Sequence, residues 1–298
     1  MIDFHTPTLD DKDWINARID ETVCPSCEYT FGNIFAYTAK MELEVAEYKG
    51  CLLTRCIYDG ELMYCYPIGN GDKKAGIEAI IDDAQSLGKD FIIFGITKEF
   101  ADELEDNFPD RFKIVFDRGG SDYIYSCQDL ITLAGKKYQP KRNHISFFKK
   151  NFNWSYERIC RENIPDCIEM NRKWIEQSLE ERKQELYEEF DIIRLAFEHY
   201  DELDFVGGLI RVDGEVIAYT MGERMTDDTF CVHYEKAFPS YRGAYPMINR
   251  EFCANELSSY KYIDREDDLD ADNLRKAKLS YYPVLIKEEF EAELKNAD

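Results

Sequence analysis

Runs of apolar residues with a period near two alternate along the chain with stretches of helical period, and the switches between them outline the elements. "GCLLTRCIYDGELMYCYPIG" sets strand-like runs on both sides of Asp59-Gly60. "GGLIRVDGEVIAYTMG" does the same around Asp213-Gly214. Asp-Gly between β-rich runs predicts a tight hairpin. Each hairpin region leads to a Gly-containing loop, a helix and a further strand. In the first half these are "IGNGDKKAG", "IEAIIDDAQSLG" and "FIIFGI"; in the second they are "SYRGAY", "PMINREFCANELSS" and "YKYIDRE". The second half carries an extra strand, "TFCVHYEKA", before its loop. One plan occurring twice predicts two related domains in tandem.

The boundary is expected near Leu133 to Tyr138, which gives an N-terminal domain over 1–134 and a C-terminal one over 135–298. "SDYIYSCQDLITL" closes the first with a strand and a short connector, and "SFFKKNFNWSYERI" opens the second with a helix and a strand. Ile164 to Tyr200 reads as acidic helix, with Ile168, Trp174, Ile175, Leu179, Leu186, Ile192, Leu195 and Phe197 on its buried side. Its glutamates form the solvated face.

Composition narrows the class. The chain has 298 residues, 44% apolar and 14% aromatic, ample for sizeable cores. Its formal charge of -23 excludes DNA or anionic membranes as partners of the surface at large, though not a local basic groove. The opening "MIDFHTPTLDDKDW" has no apolar core of a secretion signal, and no run approaches the length of a membrane span. A cytoplasmic protein with reduced thiols is expected. Cys24 and Cys27 form the one CxxC; without a second ligand pair they read as loop thiols, and no metal site is expected. No Ser-His-Asp elbow or Walker loop is present either.

Three segments stand out together: "SDYIYSCQDLITLAGKKYQPKRNHISFF", "HYEKAFPSYRGAYPMINREF" and "YIDREDDLDADNLRKAKLSYYP". In combination they resemble the soluble proteins related to the C-terminal domain of phosphatidylglycerol lysyltransferase, and the resemblance covers nearly the whole chain. It implies an α+β fold of two tandem GNAT (acyl-CoA N-acyltransferase)-like domains, each a mixed, mostly antiparallel sheet flanked by helices. The first domain is expected to be the degenerate copy, and the second to carry the active cleft. In the lysyltransferases this domain moves an aminoacyl group from charged tRNA to a lipid head group. The chain lacks their membrane-embedded half, so the acceptor is left open between a lipid head group and a small molecule.

The GNAT likeness gives the Arg-Gly turn a role. Backbone amides opening a helix bind the donor's pyrophosphate in that fold, because a helix N-terminus offers unpaired N–H groups and a positive dipole end. Arg242, Gly243 and Ala244 occupy that place with one glycine of the usual two. The block "GKKYQPKRNHISFFKK" is basic without one acid, and suits phosphates of tRNA or CoA or, equally, intramolecular ion pairs. The resemblance singles out Lys137, Lys141, Arg142 and Asn143 within it. It also marks Arg275 and Lys278, three apart on an expected helix, with the aromatic-Pro after them, as the signature of the donor or acceptor pocket. Asp264, Arg265, Glu266 and Asp267 follow a strand ending at Ile263, where loop residues project into a cleft; a salt-bridged helix start reads the same residues structurally. Glu235, late in "CVHYEKA", is the candidate general base, and Tyr245 the candidate donor to the leaving group. His233 shares the face of Glu235 and reads as structural. The expected function is transfer of an activated acyl group, from aminoacyl-tRNA or acyl-CoA as substrate rather than bound cofactor, to an amine or hydroxyl. The alternative is a small-molecule or peptide binding module on a retired transferase fold.

Overall fold

Tight turns between β-branched and aromatic runs dictate the sheet in each half. Lys49 and Gly50, Asp59 and Gly60, and Asp213 and Gly214 all adopt positive φ at both turn residues (49° and 82°, 50° and 85°, 51° and 90°). That is the type I′ geometry whose twist matches paired strands. The computed structural model describes residues 2–22 and 26–295. Cys24 therefore lies outside the described residues; Cys27 is buried with its Sγ 3.3 Å from Asp122 Oδ1. The nine described cysteines are all free thiols.

Along the chain run α1 (Lys12–Asp20), α2 (Phe31–Ala36), β1 (Glu44–Tyr48), β2 (Cys51–Tyr58), β3 (Glu61–Cys65), α3 (Lys73–Leu87), β4 (Phe91–Thr97), α4 (Lys98–Asn107) and β5 (Phe112–Ser126). Then follow α5 (Cys127–Thr132), α6 (Gln139–Asn151), β6 (Trp154–Arg158), α7 (Ile164–Glu176), α8 (Lys183–Glu198), β7 (Val206–Val212), β8 (Glu215–Arg224) and β9 (Thr229–Ala237). The last elements are α9 (Ala244–Asn255), β10 (Tyr262–Asp264), α10 (Asp272–Leu279) and β11 (Leu285–Leu294). None of the described helices is long and apolar enough to cross a membrane.

The chain divides into two units by contact: Met1–Asp122 with Asp267–Arg275 and Ile286–Asp298, and Tyr123–Glu266 with Lys276–Leu285. In the first unit β1, β2 and β3 form an antiparallel meander. Helix α3 starts on Asp72, whose side chain accepts from Ala75 N, and stops on Gly88 in the left-handed region. It carries the chain back so that β4 pairs parallel with β3, and β11 then pairs antiparallel with β4. Tyr64, Tyr66, Phe91 and Phe100 fill the core against this sheet.

The second unit repeats the plan with one more strand. β6, β7, β8 and β9 are antiparallel, α9 makes the crossover, β10 pairs parallel with β9, and the end of β5 pairs antiparallel with β10. Counted back from the parallel pair, the Asp59-Gly60 turn corresponds to the turn between β8 and β9, one hairpin later than the Asp213-Gly214 echo in the sequence. The acidic helical stretch is broken into α7 and α8. Leu179, expected on the buried side, falls at that break with extended backbone (ψ 140°) and is 66% exposed. Ile175, Leu186, Ile192 and Phe197 are buried as their spacing implies.

Candidate functional site

Parallel pairing sets Asp264 beside Cys231, so the next residues, Arg265 and Glu266, emerge alongside the second half of β9. Arg265 Nη2 donates to Glu235 Oε1 at 2.9 Å, and each side chain is 11% exposed. Asn249, on α9, donates to the other carboxylate oxygen of Glu235 at 3.3 Å. The guanidinium lies over the rings of Tyr281 (4.9 Å) and Tyr125 (5.6 Å). Its Nη1 is buried without a hydrogen-bond partner. Burial opposes the charge, but Glu235 above all, with Tyr125 and Tyr281, outweighs it and raises the pKa of Arg265.

Lys141 reaches the same place from α6. Its Nζ donates to Ser280 Oγ at 2.6 Å and stands 3.6 Å from the centre of the Tyr281 ring. Burial, reinforced by repulsion from Arg265 and partly offset by Glu235, pulls its pKa down to about 8. Tyr138 Oη fixes the Tyr281 carbonyl at 2.9 Å, and Tyr125 Oη fixes that of Lys278 at 2.8 Å. Lys278 in turn donates to the Arg265 carbonyl at 2.6 Å. A buried guanidinium with an unspent N–H beside a lysine of near-neutral pKa is able to hold a developing oxyanion and exchange a proton.

The Arg-Gly turn is built differently from an open anion cradle. Gly243 has φ 95°, and a Cβ there would collide with the His144 carbonyl oxygen of α6. Arg242 is exposed and stacks over Phe147 (4.7 Å). Ala244 N donates to the Tyr241 carbonyl at 2.9 Å and Pro246 has no N–H, so of the first three residues of α9 Tyr245 alone has an amide left to meet an anion. The Tyr245 hydroxyl interacts with the Ala237 backbone and with Trp174; burial raises its pKa.

His233, expected on the face of Glu235, falls where β9 shifts register against β8: Met221 pairs with Tyr234 and Gly222 with Val232. It therefore sides with Cys231 and Glu223 on the opposite face, where it is clamped between two carboxylates. Its Nδ1 lies 2.7 Å from Glu266 Oε1 and its Nε2 3.0 Å from Glu223 Oε1. Burial disfavours the imidazolium, yet the two carboxylates prevail and lift its pKa to about 10. Cys231 Sγ lies 3.6 Å from Nδ1.

The remaining expected residues have local partners. Arg142 donates to the carbonyls of Leu133 and Gly135 and, at 2.6 Å, to Gln139 Oε1, closing the connection after α5. Asn143 accepts from Gln139 Nε2 at 2.8 Å. Lys137 lies 3.7 Å from Asp129 and over the rings of Tyr138 and Tyr282. Asp264 is fully buried and accepts from Glu266 N at 2.8 Å. Arg275, in the first unit, donates to Asp268 at 2.7 Å and Asp270 at 2.5 Å. The structure thus gathers Glu235, Arg265, Lys141 and Lys278 into one cluster. Sequence reasoning had not picked out Tyr125, Ser280 or Asn249; of the aromatic-Pro segment after Lys278 that it marked, Tyr281 is the ring that meets Arg265 and Lys141.

A meander, a helical crossover and a parallel strand, closed by an antiparallel strand and repeated in each unit, define a tandem GNAT-like protein. The fold is shared with a tandem GNAT protein from the clavulanic acid biosynthesis pathway (TM-score 0.53, 10% identity, all of both chains covered). The chain belongs to the family of the phosphatidylglycerol lysyltransferase C-terminal domain, whose family model matches residues 24–292. A conserved protein of unknown function from Bacteroides thetaiotaomicron is 36% identical over 99% of this chain and 100% of that one, with TM-score 0.94. An uncharacterised protein of Mycoplasmoides gallisepticum is 25% identical over 182 residues, 58% of this chain and 56% of its own length. The chain thus matches little more than half of that curated relative.

Proposed function

We propose that the chain transfers an activated acyl group, in the first instance an aminoacyl group carried as an ester, to an amine or hydroxyl of a small molecule or lipid head group. The observation that carries this reading is the unpartnered Nη1 of buried Arg265, whose Nη2 is held by Glu235 and whose charge acts on Lys141. The acceptor oxygen or nitrogen attacks the acyl carbon, and Arg265 holds the carbonyl oxygen as it becomes an oxyanion. Neutral Lys141 takes the acceptor's proton and returns it to the departing oxygen as the bond from acyl carbon to donor breaks. Glu235, both of whose oxygens are engaged, orients the guanidinium. Family membership supports an aminoacyl donor over the pyrophosphate of an acyl-CoA.

The test pairs thermal shift with turnover. The purified chain is incubated with non-hydrolysable aminoacyl esters of adenosine, with CoA and with acetyl-CoA; a ligand at a hundred times its Kd adds about 2.7 kcal/mol of stability. Transfer from labelled aminoacyl-tRNA to phosphatidylglycerol or a soluble amine is followed in parallel. Stabilisation by the ester, and transfer reduced roughly 10²–10³-fold in Arg265→Lys, is expected. Stabilisation without transfer marks a binding module, and response to CoA species alone moves the donor to acyl-CoA. No response to any of them removes the reading.

A further inference from the structure

On β9, Cys231 pairs with Glu223, and the register shift at His233 brings its ring to the same side, within 3.6 Å of the thiol. Glu266 arrives at the same point from the residue pair beyond β10, placed there by the parallel register. The three donor atoms stand 2.7 Å (Nδ1 to Oε1), 3.6 Å (Sγ to Nδ1) and 3.9 Å (Sγ to Oε1) apart. They form one of two such groups among the described residues. Tetrahedral zinc with ordinary bonds to S, N and O separates its ligand atoms by roughly 3.3–3.6 Å. Two of the three spacings are within a few tenths of an ångström of that, and the third is a hydrogen bond that opens by about half an ångström when a metal replaces its proton.

We propose that Cys231, His233 through Nδ1 and Glu266 form a three-ligand zinc site, with Glu223 holding His233 from its other nitrogen. Thiolate, imidazole and carboxylate together select zinc over magnesium or calcium, which prefer all-oxygen sites. The Glu223 hydrogen bond to Nε2 is the outer carboxylate that metal-bound histidines use to fix ring orientation and tautomer. Three protein ligands leave a fourth position for water or a substrate atom, and Glu266, 23% exposed at its side chain, lies on the solvent side. Sequence spacing hid the site because its third ligand lies 33 residues beyond His233 and is delivered by a crossover.

The full chain is stripped with chelator, dialysed against zinc and analysed for metal, then titrated with cobalt as a spectroscopic substitute. One zinc per chain and a thiolate-to-cobalt charge-transfer band in the near ultraviolet are expected. Cys231→Ser abolishes the band, Cys160→Ser at an exposed thiol leaves it intact, and Glu223→Gln weakens zinc binding about 10–100-fold. Should His233→Gln fail to fold, Cys231→Ser still decides, because it keeps both hydrogen bonds of the imidazole. Metal-free protein after dialysis, cobalt bound without the band, or equal binding by Cys231→Ser overturns the proposal and leaves His233 as an ion-paired imidazolium.

Discussion

Replacing Glu235 by Gln removes one charge of a pair that is 11% exposed on each side, while keeping the shape of the side chain. Arg265 then keeps its two aromatic neighbours and the repulsion from Lys141, without the carboxylate that offset it. Removing one partner of a buried ion pair costs about 3–5 kcal/mol, because the charge left behind is neither hydrated nor paired. Glu235→Gln and Arg265→Met are each expected to cost that much. The double variant leaves no unpaired charge in its place, so it should cost at least about 2 kcal/mol less than the sum of the two. Urea unfolding followed by tryptophan fluorescence reads this cleanly in a Trp14→Phe background. Trp154 and Trp174, the remaining two of the three tryptophans, both lie in the unit that holds the pair. Single costs below about 1 kcal/mol, or additivity within about 0.5 kcal/mol, would refute the buried-pair account.

Lys141 yields a pH signature. Its folded pKa of about 8 lies below the 10.5 of a free lysine, so between those values the unfolded chain holds a proton that the folded one has shed. Stability from this group therefore rises as pH climbs from about 8 to 10.5, by no more than about 2 kcal/mol once partial solvation is allowed for. Lys141→Met, measured by Tm against pH beside the parent, should lack that rise; parallel curves for the two proteins would remove the assignment. Gly243→Ala should cost about 2–4 kcal/mol, since it combines left-handed backbone strain with a collision against the His144 carbonyl. Gly214→Ala, at φ 90° with nothing within 4 Å, pays the backbone strain alone, about 1 kcal/mol. Equal losses in urea melts would show that the turn is not packed against α6.

Local periodicity and turn chemistry determined the elements. Asp59-Gly60 and Asp213-Gly214 force type I′ turns because both positions need positive φ, and that preference is written in the dipeptide itself. The repeated order of strand, helix and strand was equally legible, as were the buried stripes of α7 and α8, save Leu179 at the break between them. The motif letters drew attention to Glu235, Arg265 and Lys141. They did not say that Arg265 would take Glu235, thirty residues away, as its partner, or that Arg275 would turn to Asp268 and Asp270. Nor did they say that the Ala244 amide would turn back to the Tyr241 carbonyl. Those outcomes depend on register. The parallel pairing of β9 with β10 decides which residue stands beside which, and burial then decides which charges must pair and which lysine is pulled toward neutrality.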